Sequence, residues 1–282
     1  MPELPEVEIV RRGLERVTLN QPIQSAEVLL PRVVASPARP ANWKARLTGC
    51  QFTAWHRRGK YLLADLRTSA GEDGGQLGVH LRMTGQLLWL DRQTPVTAHT
   101  RFRLFFDDSR ELRFVDQRTF GRTWWVPPQR PAEAVITGLA LLGPEPFDPD
   151  FSVPYLSHAL RRSQRPIKNA LLDQALVAGI GNIYADEALF LAGIRPTTRS
   201  KRLTRARVAK LHAAIRSVLQ TSIEAGGTTF SDYRDIYGVN GQYSGVAWVY
   251  GRTGQPCRRC GTPIRRLKMG GRSAHFCPHC QH

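Results

Sequence analysis

The chain has 282 residues, 41% of them hydrophobic, and its 40 Lys and Arg outnumber 23 Asp and Glu to give a formal net charge of +17. This composition excludes a disordered chain and is large enough for two medium domains with a sizeable core. The positive excess is spread along the chain and favours a polyanion such as nucleic acid as partner, with solubility or an anionic membrane surface as the alternatives.

The first predicted element is an amphipathic helix directly behind the N-terminus. Pro5 suits its first turn, and apolar residues recur at spacings of three and four: Val7, Val10, Leu14 and Val17. Removal of Met1 would expose the secondary amine of Pro2. An α-amino group has a pKa near ~7.7–8.0, against ~10.4 for lysine, so far more of it is nucleophilic at neutral pH. Attack on a sugar would give an iminium ion, an electron sink for elimination; a start that merely carries proline is the ordinary alternative.

Short runs of β-branched and aromatic residues follow, separated by Gly, Asp and Ser. They predict strands that together form a β-sandwich, over residues 27–30, 51–55, 60–66, 77–90, 101–106, 111–115 and 122–126. The Pro-rich segment 127–131 marks the end of this region.

The pattern then becomes helical. Helices are predicted over 152–160, 166–176, 182–191 and 204–225. Residues 230–245 lack periodicity, which indicates a loop that closes over a ligand or moves. The predicted organisation is an N-terminal β-sandwich domain at 1–131, a linker at 132–148, a helical domain with this loop at 149–245, and a last, cysteine-rich domain at 246–282.

Four of the five cysteines are crowded near the C-terminus. Their two Cys-x-x-Cys pairs have the spacing of a structural zinc site, with the ligands Cys257, Cys260, Cys277 and Cys280. The nearby histidines are possible substitute ligands, and disulfides are less favoured. Cys50 is expected to be an inert core residue.

Two further segments indicate contacts with phosphate. Gly179-Ile180-Gly181 precedes a helix start, where unpaired amides favour an anion, and Asn182 can cap that helix and donate from its amide. Arg272 follows the turn formed by two glycines between the cysteine pairs, where it would face a phosphate.

These pieces resemble the formamidopyrimidine-DNA glycosylase family over almost the whole chain. The matching motifs are Pro2–Glu8, Arg58–Leu62, His80–Gly85, Asp116–Gly121, Leu171–Gln174, Asn182–Glu187, Gly226–Thr229 and the cysteine pairs. The resemblance implies an α+β protein in which an N-terminal β-sandwich domain is joined to a helix-two-turns-helix module and a four-cysteine zinc finger. It also implies that DNA is held in a cleft between domains.

The resemblance implies catalytic roles for four residues and a supporting role for Glu6. Pro2 would be the nucleophile, and Glu3 the acid/base group that protonates the opening sugar ring. Glu6 would orient the N-terminus, although a first-turn dipole partner is nearly as good an interpretation. Lys60 would bind the phosphate near the lesion or assist elimination, and Arg272 would aid the later elimination.

The family also implies residues that bind DNA. Extruding a base leaves a hole in the duplex, and the residues that would fill it are Met83, Arg118 and Phe120. Positions that match phosphate contacts are His80, His99, Lys168 and Asn182. Two departures from the family pattern are Gln117 and the loop at 230–245, the segment that would cap the flipped base.

The predicted function is a bifunctional glycosylase and lyase. It would remove 8-oxoguanine and formamidopyrimidines from double-stranded DNA through a Schiff base, then cut by β- and δ-elimination. An endonuclease VIII type acting on oxidised pyrimidines and a non-catalytic DNA-damage binder are the alternatives. Because the sequence shows no membrane segment or signal peptide, we expect a cytoplasmic protein. The resemblance further implies a bacterial monomer associated with the nucleoid, and the cysteine pairs predict one structural Zn²⁺.

Overall fold

The computed structural model describes residues 1–107, 109–229 and 233–282. The chain divides into two compact units, one formed by Met1–Ala140 with Gly226–Gly241 and the other by Leu141–Ala225 with Gln242–His282. These units differ from the predicted domains, because the helical region and the cysteine-rich segment share one unit. Residues 226–241 instead join the first unit, where Ile236 is buried in the core and its carbonyl accepts the Trp89 N–H at 2.8 Å.

The first helix, α1 (Leu4–Thr18), is longer than predicted by a residue at each end. It begins with a capping box, in which the Glu3 side chain accepts the Glu6 N–H and Glu6 Oε2 accepts the Glu3 N–H at 2.8 Å. This exchange satisfies amides that have no partner within a helix. The apolar stripe of the helix, which includes Val7, Val10 and Leu14, is buried against the core of the first unit.

Two sheets make up the β-sandwich of the first unit, which confirms the predicted class. One has the order β1 (Ser25–Val28), β7 (Thr100–Phe105), β8 (Arg110–Asp116), β6 (Gly85–Asp91). The other has the order β2 (Val34–Ser36), β9 (Arg122–Val126), β5 (Asp73–His80), β4 (Tyr61–Arg67), β3 (Gln51–Arg58). All pairs are antiparallel except β2 with β9. Short helices α2 (Pro40–Leu47) and α3 (Ala132–Val135) complete the unit.

Large aromatic side chains fill the core of this unit. Phe52, Phe102, Phe106 and Phe114 are at most 2% exposed, and Phe102 stacks on Phe114 with ring centroids 5.0 Å apart. The single strand predicted over 77–90 is two strands, β5 and β6. The break falls at Arg82, which has a φ of 56° that a strand cannot contain.

The second unit is helical, with α4 (Val153–Arg161), α5 (Ile167–Leu171), α6 (Asn182–Leu191) and α7 (Arg205–Glu224). Three of these agree with the prediction within about a residue. Helix α5 is shorter than predicted, because the Asp173 side chain accepts the Ala175 N–H at 3.0 Å and stabilises a turn instead.

The cysteine-rich segment forms a hairpin of β10 (Arg265–Met269) and β11 (Arg272–Phe276) in this unit. Its tight turn is formed by Gly270 and Gly271, with φ values of 54° and 78°. Two-residue hairpin turns often require positive φ at both positions, which glycine adopts readily. The buried Glu187 of α6 accepts the backbone N–H groups of Trp248, Val249 and Tyr250 at 2.7–2.9 Å. This carboxylate therefore ties α6 to the segment that leads into the cysteine pairs.

Candidate active site and nucleic-acid interface

Pro2 and Glu3 are both buried at the head of α1, and Glu3 is only 2% exposed. With Met1 in place the Pro2 nitrogen is an amide, so it becomes a nucleophile only after Met1 is removed. The next residue, Glu3, is the N-cap of the helix. The predicted nucleophile and acid/base residue are thus buried next to each other directly before α1.

Glu6 supports this N-terminal segment with both carboxylate oxygens. Oε2 accepts the Glu3 N–H at 2.8 Å and Oε1 accepts the Thr228 N–H at 2.8 Å. The Tyr233 hydroxyl donates to the Glu6 carbonyl at 3.5 Å, and burial raises the pKa of Tyr233 well above its usual value, with Glu6 and Asp235 adding to the effect. Glu6 therefore connects the N-terminus to Gly226–Thr229, which favours the orienting role over a simple helix-dipole partner.

Lys60 and His80 are brought together by strand pairing. Lys60 lies in the turn between β3 and β4, and its neighbour Tyr61 pairs with His80 across β4 and β5. Both are buried, at 8% and 7% exposure. Burial lowers the pKa of His80 to about 3, and the charges of Arg82 and Lys60 add to the effect. His80 Nδ1 accepts the Arg82 N–H at 3.0 Å, so the neutral ring carries its proton on Nε2.

The three residues predicted to fill the duplex lie on two neighbouring loops. Met83 is 36% exposed and Phe120 50%, and the Arg118 guanidinium lies over the Phe120 ring at 5.0 Å. The loops are linked through Thr84, whose hydroxyl donates to Asp116 and accepts the Arg118 N–H. This arrangement agrees with a group that acts together, since core side chains would not be exposed in this way.

His99 is exposed on an adjoining loop. Its Nδ1 lies 3.3 Å from an Arg101 Nη atom, and its carbonyl accepts the Asp116 N–H at 2.9 Å. Sequence reasoning did not identify Thr84 or Asp116 as functional residues. Both lie inside the family motifs, but a polar residue at a strand end is also an ordinary turn residue.

Lys168 differs most from its prediction as a phosphate ligand. It is 0% exposed, its ammonium pairs with the buried Asp186 at 2.6 Å, and it donates to the Ser273 carbonyl at 2.5 Å. The second Asp186 oxygen accepts the His275 N–H at 2.8 Å. A buried and paired ammonium favours a structural role, because it holds β11 against α5 and α6.

Arg272 is exposed at the start of β11, directly after the Gly270-Gly271 turn, as the sequence predicts. Asn182 is the first residue of α6, and the N-cap is Gly181, which corrects the expected capping role. The Asn182 Nδ2 is 3.5 Å from the Tyr250 hydroxyl, and its buried Oδ1 has no partner within the described part of the chain.

The four clustered cysteines converge in space. All four sulfurs lie within 4.8 Å of one another, with Cys257 4.0 Å from Cys280 and Cys260 3.5 Å from Cys277. Ligands about 2.3 Å from a tetrahedral zinc have sulfurs about 3.8 Å apart. The donor set and spacing therefore fit Zn²⁺ with no position left for water. Cys50 is buried in the core, as expected.

Among residues 1–107, 109–229 and 233–282, no helix is both long enough and apolar enough to span a membrane. The predicted cap over a flipped base falls partly on Phe230, Ser231 and Asp232, which lie outside the described residues.

Three family models match successive parts of the chain. The formamidopyrimidine-DNA glycosylase N-terminal domain matches residues 1–123, the H2TH domain of the same family matches 142–234, and a zinc finger found in FPG and IleRS matches 254–282. These matches cover the N-terminal region, the helical region and the cysteine pairs.

The chain is also similar in sequence and in structure to known proteins of this family. A formamidopyrimidine-DNA glycosylase of Synechococcus sp. is 63% identical over 281 residues, covering 100% of this chain and 99% of the relative. A Lactococcus lactis FPG mutant in complex with a Fapy-dG containing DNA has a TM-score of 0.90 at 37% identity, with both chains covered fully. The wild-type Lactococcus lactis protein in complex with an oxidized pyrimidine containing DNA has a TM-score of 0.89, also at 37% identity and full coverage. From these matches along its whole length, the chain belongs to the formamidopyrimidine-DNA glycosylase family.

Proposed function

We propose that this base-excision DNA glycosylase uses Pro2 as its nucleophile on oxidised purines, chiefly 8-oxoguanine and formamidopyrimidines, in duplex DNA. The observation that carries the proposal is that the N-terminal segment is buried and held by hydrogen bonds. Pro2 and Glu3 are buried, and Glu6 fixes the segment with hydrogen bonds to Glu3 and Thr228. A chance proline at a chain start would have no need of such support.

The reaction follows from the chemistry of a secondary amine. The unprotonated Pro2 nitrogen bonds to the C1′ of deoxyribose as the C1′–base bond breaks, and the base leaves with that electron pair and takes up a proton from water. The Glu3 carboxylate receives the N–H proton of the amine and returns it to O4′ as the C1′–O4′ bond breaks, which gives an iminium ion, the Schiff base. Glu3, again a carboxylate, then accepts the C2′ proton, and the electrons of the C2′–H bond neutralise the iminium as an enamine. The enamine expels the 3′ phosphate with its C–O bonding electrons, and loss of the C4′ proton to the same carboxylate, once it has released the first proton to water, expels the 5′ phosphate.

Other residues hold the DNA in this scheme. Lys60 and a neutral His80 contact the phosphate near the lesion, with His99 and Asn182 as further contacts, and Arg272 stabilises the phosphate that leaves last. Met83, Arg118 and Phe120 occupy the space of the extruded nucleotide. Lys168 acts on the DNA indirectly in this scheme, through the hairpin that carries Arg272.

The four cysteines, Cys257, Cys260, Cys277 and Cys280, would hold one structural Zn²⁺ as thiolates. Bound there, the ion would stabilise the fold of the hairpin rather than supply a Lewis acid, because four thiolates complete its coordination. We place the enzyme in the cytoplasm, on nucleoid DNA, where its substrate is found.

Borohydride trapping tests the nucleophile. Wild-type protein incubated with duplex containing 8-oxoguanine opposite cytosine is expected to give a covalent adduct on reduction. Pro2→Gly should lose most of the adduct, and Glu3→Gln should slow base release roughly 100-fold or more. Pro5→Ala is the matched control, because Pro5 is a nearby proline in the first turn of α1 and carries no free amine.

Two measurements complete this test. Native mass spectrometry reports whether active protein lacks Met1 and carries one zinc. Active protein that retains Met1, or an adduct unaffected by Pro2→Gly, would contradict the proposal. The excision rate on a duplex with an oxidised pyrimidine should also be compared with the rate on 8-oxoguanine. This comparison is warranted because the similar Lactococcus lactis protein forms a complex with an oxidized pyrimidine containing DNA.

A further inference from the structure

Asp116 lies where three loops of the first unit meet, and all of its polar atoms are hydrogen bonded. Oδ1 accepts the Thr84 hydroxyl at 2.5 Å and Oδ2 accepts the Gly121 N–H at 2.7 Å. Its N–H donates to the His99 carbonyl at 2.9 Å, and its carbonyl accepts from Arg101 Nε at 2.7 Å. The residue is 1% exposed, so these bonds lie away from competing water.

Thr84 extends this network to the next loop. Its hydroxyl donates to Asp116 and, as an acceptor, binds the Arg118 N–H at 3.0 Å. One hydroxyl group therefore joins the loop that carries Met83 to the loop that carries Arg118 and Phe120. Valine has nearly the same shape as threonine but carries a methyl group in place of the hydroxyl, so it neither donates nor accepts these hydrogen bonds.

The backbone of both loops requires such support. Arg82 and Thr119 have φ values of 56° and 59°, in the left-handed region that is costly for residues other than glycine. Each flanks an exposed side chain of the group, Met83 beside Arg82 and Phe120 beside Thr119. Without the buried hydrogen bonds, the loops would relax and the three side chains would lose their common orientation.

We propose that Asp116 and Thr84 are positioning residues for base extrusion. They hold Met83, Arg118 and Phe120 so that the three enter the duplex together as the damaged nucleotide leaves the stack. The inference rests on the proposed function and deepens it, since it names residues that determine the extrusion step without touching the reacting atoms.

The test separates extrusion from chemistry by using two substrates. The first is a duplex with 8-oxoguanine opposite cytosine and 2-aminopurine beside the lesion, whose fluorescence reports unstacking. The second is a single strand with a preformed abasic site, which has no partner base to replace. Thr84→Val is expected to slow both unstacking and excision in the duplex about tenfold, and to leave cleavage of the single strand within about twofold of wild type.

Two variants make the comparison specific. Thr84→Ser retains the hydroxyl and should restore duplex excision. Thr123→Val removes another buried hydroxyl of the same unit, which donates to the Gly78 carbonyl at 3.0 Å, so it measures the general cost of such a change. Equal duplex rates for Thr84→Val and Thr123→Val would overturn the inference, as would an equal loss on both substrates for Thr84→Val.

Asp116→Asn provides a second test in case Thr84→Val does not fold. Asp116→Asn leaves an amide that accepts from one donor but opposes the other, so it should also slow duplex excision selectively. Because Thr84 and Asp116 act through the hydrogen bond between them, the double variant should excise the base from duplex no more slowly than the slower single variant. Additive losses in excision rate would show that the two residues act independently, which would contradict the inference. A wild type that excises no oxidised base would instead refute the proposed function, and this inference with it.

Discussion

At the scale of single residues, His80 shows how burial changes the chemistry that a sequence suggests. A histidine at a phosphate-contact position is readily interpreted as a cation. Its burial beside Arg82 and Lys60 lowers the pKa of His80 to about 3, so the ring is neutral at physiological pH. Because Nδ1 is occupied by the Arg82 N–H, only Nε2 can donate to a phosphate. His80 therefore offers a directional hydrogen bond that does not vary with pH near neutrality.

His80 should make the protein sensitive to acid. Between pH about 6.5 and about 3 the unfolded chain binds a proton at this histidine that the folded chain does not, so stability falls as the pH is lowered through this window. The contribution is about 1.4 kcal/mol per pH unit. His80→Gln should therefore lose about 2 kcal/mol less stability than wild type between pH 6.5 and 5.

Urea unfolding at the two pH values measures this difference. His158→Gln serves as the control, because His158 is exposed on α4. An equal response of the wild type and His80→Gln to acid would show that His80 titrates normally in the folded protein.

Pro2, Arg272 and the cysteine pairs were predicted as site residues from their spacing and from the family motifs. The structure places Pro2 before α1 and Arg272 at the start of β11, and it brings the four cysteine sulfurs within 4.8 Å of one another, while the catalytic roles stay predictions. The burial of Lys168 and the relay through Thr84 and Asp116 were not foreseen. Their roles depend on which distant residues they contact, and spacing along the chain does not carry that information.

At the scale of elements, a buried ion pair attaches the Arg272 hairpin to the helical region. Lys168 of α5 pairs with Asp186 of α6, and both residues bind β11 through Ser273 and His275. Three elements are therefore held by two charges that are shielded from solvent. Such pairs add little net stability when complete but cost much when one partner is lost.

Lys168→Met should destabilise the second unit by about 3 kcal/mol, because it leaves the Asp186 carboxylate buried without its counter-ion. Lys168→Met combined with Asp186→Asn should recover part of this loss. Thermal unfolding of the two variants and the wild type provides the measurement.

Arg165→Met is the matched control for this pair. It breaks the exposed pair of Arg165 with Asp173, whose atoms lie 2.8 Å apart and whose side chains are 63% and 38% exposed. An exposed pair of this kind contributes about 0–1 kcal/mol. A loss for Lys168→Met as small as that for Arg165→Met would contradict a structural role of the buried pair.

At the scale of the whole molecule, the charge of +17 predicts strongly salt-dependent binding to undamaged duplex. If about six to ten phosphates are neutralised, affinity should fall by roughly 10³ to 10⁵ between 50 and 200 mM salt. Replacing the exposed Arg161 and Arg162 of the second unit by glutamine should reduce the slope by up to about two. Fluorescence anisotropy over a salt series measures both effects.

Arg130→Gln is the control for this series, since Arg130 is also exposed but lies in the first unit and is far in sequence from Arg161, Arg162 and the predicted phosphate contact Lys168. A slope near zero for the wild type would show that binding does not depend on phosphate contacts. An unchanged slope for the double variant would place the contacts elsewhere.

The fold was largely predictable because its signals are local. Helical spacing and short runs of β-branched and aromatic residues predicted most elements close to their observed bounds. The exceptions include the segment 77–90, which is two strands, helix α5, which is shorter, and the short elements β2, α2 and α3, which were not predicted. The division into units was less predictable, because residues 226–241 join the first unit through long-range contacts. The hydrogen bond from Thr228 to Glu6 spans 222 positions, which no local pattern reveals.

That long-range bond has a consequence for synthesis. A nascent chain that ends before Thr228 has an N-terminal helix whose Glu6 carboxylate still lacks one of its two amide donors. Pro2, the proposed nucleophile, therefore acquires the support of Thr228 only when about four-fifths of the protein has been synthesised. On the proposed function, products truncated before Thr228 would lack part of the active site and would cut DNA poorly.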